Sequence, residues 1–359
     1  MSDNYRERSN RLRTVLDGSN LECFATMYGP SLRYLTGYSG SNGICVVTPE
    51  RVIFGTDFRY ASQLESEVVA DATFIKRGSL IEAAAKVNVL HGWKSVGVEG
   101  EHCSVVQWNE FHKHFRRISF TETIGIVEEL AAVKEEAEIE CIRKAAAITD
   151  TVFAKIIELI RPGVTECEIA AEISYLHRMY GADGDAFDTI VASGMRGALP
   201  HGRASAKKIA AGEFVTIDFG CVFNGYCSDL TRTVAVGKAT REMRKVYAVV
   251  LEAQRRAIES ARSGMKARSL DRVARHYLQL QSYGRCFGHG LGHGIGLEIH
   301  GYPKVSAIST HTLREGNVVT VEPGVYLPGK FGVRIEDDIV IHRKACEVIT
   351  SSPKELLIL

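Results

Sequence analysis

The chain has 359 residues, 45% of them apolar, which is more than one compact core usually holds, so two domains are expected. Forty-four basic against 43 acidic side chains leave a net charge of +1. That balance excludes the electrostatic footprint of a nucleic-acid or anionic-membrane binder and leaves a small molecule or peptide as the expected partner. The first stretch, MSDNYRERSNRLRTVLDG, is charged and lacks the apolar core of a secretory signal, and no run is long enough to span a bilayer, so a cytoplasmic protein is expected. Nine cysteines, an odd number without a C-x-x-C pair, read as reduced thiols.

In chain order, strand patterns at 44–48, 51–56 and 95–100 alternate with helical patterns at 60–69, 80–88 and 104–114. This predicts a small α/β domain over residues 1–125. His112 and His114 fall at the end of the last of these helices, and no carboxylate motif accompanies them, so they are read as surface residues. One helix is expected over 127–160, stopped at Pro162-Gly163, opening a second domain over 126–359. Segments 159–181 and 260–284 form a weak internal repeat: a helix end, a glycine turn, a second helix and a closing tyrosine-glycine signal. Thr165 and Glu168 predict a capping box in the first copy. A duplicated helix-plus-sheet unit would create a cleft on its pseudo-twofold axis.

Five segments after the first copy carry metal-binding side chains: Asp218 in TIDFG, Asp229 in CSDLTRT, His293 in GHGLGHGIG, Glu322 in VEPG and Glu336 in RIEDD. Four carboxylates and one imidazole are a hard, oxygen-rich set suited to divalent cations. Asn224-Gly225 is the strongest short signal for a two-residue hairpin turn, and it puts Asp218 opposite Thr231, with Asp229 on the same face. Diagonal neighbours of this kind lie roughly 7 Å apart between Cβ atoms, able to flank metals roughly 3.5–4 Å apart. Alternation in RIEDDIVI puts Arg334, Glu336 and Asp338 on one face. Glu322 ends an apolar strand before Pro323-Gly324, where a side chain can project into a cleft. The glycine-rich loop holding His289, His293 and His300 does not match G-x-G-x-x-G, which disfavours phosphate binding. One of these histidines suits a metal, and the others suit hydrogen bonds to a developing oxyanion. His201, in Pro-His-Gly, carries a weaker signal, because that tripeptide is also an ordinary turn.

With these motifs in order, the sequence resembles the pita-bread metallopeptidases, the family of methionine aminopeptidase, aminopeptidase P and prolidase. YLTGYSGSNG and TDFRY are similar to the N-terminal domain of the aminopeptidase P and prolidase branch. The resemblance implies an α/β architecture: an N-terminal creatinase-like α/β domain followed by a C-terminal pita-bread α+β domain with a pseudo-twofold repeat. It implies that Asp218 chelates one metal, that His293 and Glu322 bind the other, and that Asp229 and Glu336 bridge both. Two divalent cations are expected, manganese first and cobalt, zinc or iron as alternatives. His201 and His300 would contact substrate around the scissile bond, His289 would line the pocket, and Arg334 would fix substrate or Glu336. Glu322 is the candidate to take the proton of the attacking water and pass it to the leaving nitrogen. Gly301 stands where relatives often carry an acidic residue after the last histidine.

The expected activity is Xaa-Pro aminopeptidase, acting on a peptide with proline in second position, with an Xaa-Pro dipeptidase (prolidase) as the alternative. A homodimer or higher homo-oligomer is expected. A non-catalytic binding module and a creatinase-like amidinohydrolase share this fold, but such relatives lack the full ligand set present here.

Overall fold

A computed structural model describes residues 2–359, which divide into two units, one ending at Ala131 and the other covering Ala132–Leu359. The first opens on a helix, Ser2–Gly18, whose charged composition conceals an i, i+4 stripe: Arg8, Leu12 and Leu16 are all buried. Its sheet has six strands, ordered Ala72–Ile75, Val52–Thr56, Gly43–Val47, Cys23–Thr26, Ser95–Glu99 and Ser119–Thr123. The expected strands and helices of this region are all present, with ends shifted by a few residues. His112 is exposed and His114 half-buried at the end of the helix Val105–His114.

The expected helix over 127–160 is two helices, Ile126–Ala132 at the end of the first unit and Glu136–Ile156 in the second. Between them Val133 pairs with Asn317 as an isolated bridge and the Lys134 amide donates to Gly316 O. Both contacts require extended backbone, so tertiary pairing overrides the local helical pattern. Glu135 then caps the second helix with extended torsions.

The internal repeat becomes two helix pairs, each packed on its own sheet. Val152, Phe153, Ile169 and Ile173, from Glu136–Ile156 and Glu166–Met179, join Val191, Val215, Ile217 and Val234 in one core cluster. Val246, Val250, Leu270 and Ala274, from Arg241–Ser260 and Ala267–Leu280, join Val319, Val321 and Ile339 in another. The first sheet runs Leu230–Ala235, Phe214–Phe219, Ile190–Ser193; the second runs Gly301–Val305, Gly292–Gly294, Val318–Val321, Asp337–Ile341, Cys346–Val348. Thr165 and Glu168 form the expected capping box.

The hairpin register is the expected one. Asn224 and Gly225 both have left-handed φ values, 46° and 72°, as a two-residue turn that follows the strand twist requires. Phe223 pairs with Tyr226, and further along Asp218 pairs with Thr231. At Gly220 the ribbon passes so close to the carbonyl of Ser228 that any Cβ would collide with it.

Candidate metal centre

Asp218 and Asp229 lie on the first sheet's hairpin, His293 on the second sheet, Glu322 just past the end of that sheet's strand Val318–Val321, and Glu336 in the link between strands Phe331–Arg334 and Asp337–Ile341. Asp229 backbone N donates to Asp338 Oδ2 at 2.9 Å, which ties the hairpin to the second sheet. Glu336 N donates to Thr231 O at 3.1 Å, and its Oε2 accepts from Thr231 Oγ1 at 2.7 Å. Glu322 N donates to Leu291 O at 2.8 Å, and His293 N donates to Thr320 Oγ1 at 3.1 Å. Gly292, beside His293, sits against the carbonyl of Thr320 with no room for a Cβ.

These five side chains line one cavity of about 420 Å³, together with His201, His289, His300 and Arg334. All nine predicted site residues are therefore brought together. Apolar walls come from Phe187, Ile190 and Pro200, and a further cation from Lys304.

The donor set fits cations on three observations. Ligand atoms of Asp229, His293 and Glu336 lie within 4.8 Å of one another. His293 Nε2 stands 3.6 Å from both Asp229 Oδ2 and Glu322 Oε1, too far for hydrogen bonds but close to the roughly 3–4 Å that separates two ligands of one ion. Asp218 Oδ1 and Asp229 Oδ1 are buried without a hydrogen-bond partner among the described residues.

Electrostatics agree with that fit. Burial first, and then the charge of Asp218, push the Glu336 carboxyl up to about 8. Burial and then Glu336 raise Asp229 and Glu322 in the same direction. Crowded carboxylates of this kind demand positive charge. Burial and then His300 hold His293 down at about 3, so at neutral pH it is the uncharged imidazole that a metal needs. His289 is held down at about 4 by burial and then Arg334.

Arg334 is buried and its donors are taken by protein groups. It bonds Tyr326 OH at 2.6 Å, Thr231 Oγ1 and Pro200 O at 3.1 Å, and the carboxylate of Asp218. It holds Asp218 directly, and it reaches Glu336, which it was expected to fix, through the shared Thr231 hydroxyl. Tyr326 was not legible in the sequence. Its hydroxyl also meets His289 Nε2 at 2.9 Å, linking the glycine-rich loop to Arg334. Asp338, which alternation puts on the face of Glu336, had no role expected for it, and it accepts from the Asp229 amide.

The sequence profile of metallopeptidase family M24 matches residues 140–343, and that of the creatinase/prolidase N-terminal domain matches residues 8–133. The chain belongs to metallopeptidase family M24. It is a metal-dependent hydrolase with a creatinase-type N-terminal domain and a pita-bread second domain. The structure of an Xaa-Pro dipeptidase from Bacillus anthracis is 41% identical, with a TM-score of 0.96 over 99% of this chain and 100% of that one. An X-Pro aminopeptidase from Thermotoga maritima is 39% identical, with a TM-score of 0.89 over 95% and 98% of the two chains. An Xaa-Pro dipeptidase from Pyrococcus horikoshii is 36% identical over 99% of this M24 chain and all of its own. Among the described residues no helix is long and apolar enough to cross a membrane.

Proposed function

We propose that this M24 peptidase hydrolyses Xaa-Pro dipeptides, cutting the bond before proline. The relatives' names favour the dipeptidase, the alternative reading of the sequence, over the aminopeptidase expected first. The observation that carries the choice is Lys304. Its ammonium, bonded to His300 O at 2.7 Å, is on the wall of the cavity that holds the metal ligands, where it suits a carboxylate at the end of a short substrate. An Xaa-Pro aminopeptidase is the second reading, favoured by the 39% identity to the Thermotoga protein.

Asp218, Asp229, His293, Glu322 and Glu336 would hold two divalent cations, manganese being the metal best matched to so oxygen-rich a set. Bound ions supply Lewis-acid chemistry, lowering the pKa of a water toward neutrality and polarising the scissile carbonyl. Glu322 takes the proton of the attacking water and delivers it to the prolyl nitrogen, which has no hydrogen of its own and leaves as a secondary amine. His201 and His300 donate to the carbonyl oxygen as its charge grows. His289, held by Tyr326, shapes the wall, and Arg334 keeps Asp218 aimed. Phe187, Ile190 and Pro200 give the pyrrolidine ring an apolar surface.

Lys304→Ala is expected to raise KM about tenfold for an Xaa-Pro dipeptide, the equivalent of roughly 1.4 kcal/mol. Hydrolysis of the Xaa-Pro amide, which has no carboxylate, should change less than twofold. Equal losses on both substrates would remove Lys304 as the carboxylate contact, and faster turnover of Xaa-Pro-Yaa than of Xaa-Pro by the parent enzyme would favour the aminopeptidase.

A further inference from the structure

The cavity's histidines are held in different ways. His289 is fixed by Tyr326 OH and Gly290 O, and His293 sits beside Gly294 O at 3.2 Å. The exposed ring of His201 makes no hydrogen bond among the described residues, so only the backbone of its loop places it.

That loop leaves the sheet after Ser193, and Ser193 and Ser205, at its two ends, converge on a single carboxylate. Glu166, at the start of the helix Glu166–Met179, is 0% exposed. Its Oε1 accepts from the backbone N and hydroxyl of Ser193, each at 2.8 Å. Its Oε2 accepts from Arg196 Nε at 2.9 Å, Ser205 N at 3.1 Å and Ser205 Oγ at 2.6 Å. Arg196 reaches across the loop to the carbonyl of Arg203. At the tip, Pro200 O accepts from Arg334 Nη1 at 3.1 Å. A buried carboxylate with five donors, at the positive end of a helix, is a strong and rigid anchor.

We propose that Glu166 is a positioning residue for His201: it closes the 194–204 loop at its base so that an otherwise unheld imidazole stands on the cavity wall. Its carboxylate bonds only Arg196 of the loop and the two serines at its ends, and none of the metal ligands. Its effect therefore falls mainly on the substrate: the loop's link toward a metal ligand, Pro200 O to Arg334, is one of the four hydrogen bonds that hold Arg334. The proposal rests on His201 as a substrate contact in the reading above.

The test combines kinetics of the metal-loaded enzyme with two readouts independent of turnover. Glu166→Gln keeps the volume but turns one acceptor into a donor facing donors. It is expected to raise KM for Xaa-Pro about tenfold, to leave the Mn²⁺ dissociation constant from calorimetry within twofold of the parent, and to speed amide hydrogen exchange in 194–205 selectively. In a His201→Ala background the same change should add less than twofold, because the two residues act as one unit. Independent, multiplying losses, a parallel loss of Mn²⁺ affinity, or unchanged exchange in the loop would each overturn the proposal. Should Glu166→Gln not fold, Arg196→Ala removes one leg of the anchor from a half-buried position and should give the same pattern at about threefold. A parent enzyme inactive on Xaa-Pro would defeat the functional reading alone, while the exchange and Mn²⁺ measurements would still decide on the anchor.

Discussion

Asp229→Asn and Glu336→Gln are each expected to lower metal-dependent turnover at least about a thousandfold, roughly 4 kcal/mol of transition-state stabilisation, without unfolding the chain. Both carboxylates are buried, and Asp229 and Glu336 present ligand atoms to the same point as His293. An amide of the same shape cannot supply the charge that balances two cations. Fold integrity should survive because the anchoring of these residues is largely through backbone: Asp229 N to Asp338, and Glu336 N to Thr231 O. Without metal, each variant should melt at or above the parent's temperature, since each removes one member of a repelling cluster. Turnover within tenfold of the parent in either variant would contradict the bridging role.

The same repulsion makes the metal-free protein pH-sensitive. A carboxyl raised from 4.5 to about 8 on folding, as Glu336 is, binds more protons in the folded than in the unfolded chain throughout that interval. Stability must then fall as pH rises through it. His293 and His289, depressed from 6.5 to about 3 and about 4, act in the opposite sense below pH 6.5, where stability falls as pH falls. Between pH 6.5 and 8 the carboxylates dominate, and Lys134, held down at about 8 by burial, begins to oppose them only at the upper end. Each pKa unit corresponds to about 1.4 kcal/mol, so the metal-free protein should lose on the order of 2 kcal/mol over that window, a melting-temperature drop of a few degrees. Added Mn²⁺ should remove the drop, with the largest metal-induced rise in Tm at pH 8, and its binding should release protons, visible as a dependence of calorimetric heat on buffer. A metal-induced rise in Tm that is equal at pH 6.5 and pH 8 would count against the crowded-carboxylate account.

Much of the metal centre was legible in the sequence because its determinants are local. Asn224-Gly225 fixes a turn, the turn fixes a register, and the register puts Asp218 opposite Thr231. Alternation alone aimed Arg334, Glu336 and Asp338 the same way. What escaped depends on chain segments far apart in sequence. Tyr326 reaches His289 and Arg334 only because the hairpin that turns after Leu327 sets it diagonally across from Arg334, and no pattern in VEPGVYL announces it. Glu166 looks like a helix-start acid, and its five donors come from residues 27 to 39 positions away. In the first unit, Cys23–Thr26 is a fully buried strand with no alternation to mark it, whereas Ala72–Ile75 alternates in burial but is only four residues long. The false continuous helix over 127–160 has the converse cause: local propensity was strong, and the pairing of Val133 with Asn317 overrode it.

The most direct test of a metal-dependent proline-specific dipeptidase is hydrolysis of a short peptide panel by protein stripped of metal and then resupplied with single divalent cations. The expected result is no turnover when stripped, restored cleavage of Xaa-Pro by Mn²⁺ or another transition metal, and at least about a hundredfold lower rates on Xaa-Ala. Cleavage that survives complete metal removal, or equal rates on Xaa-Pro and Xaa-Ala, would contradict it.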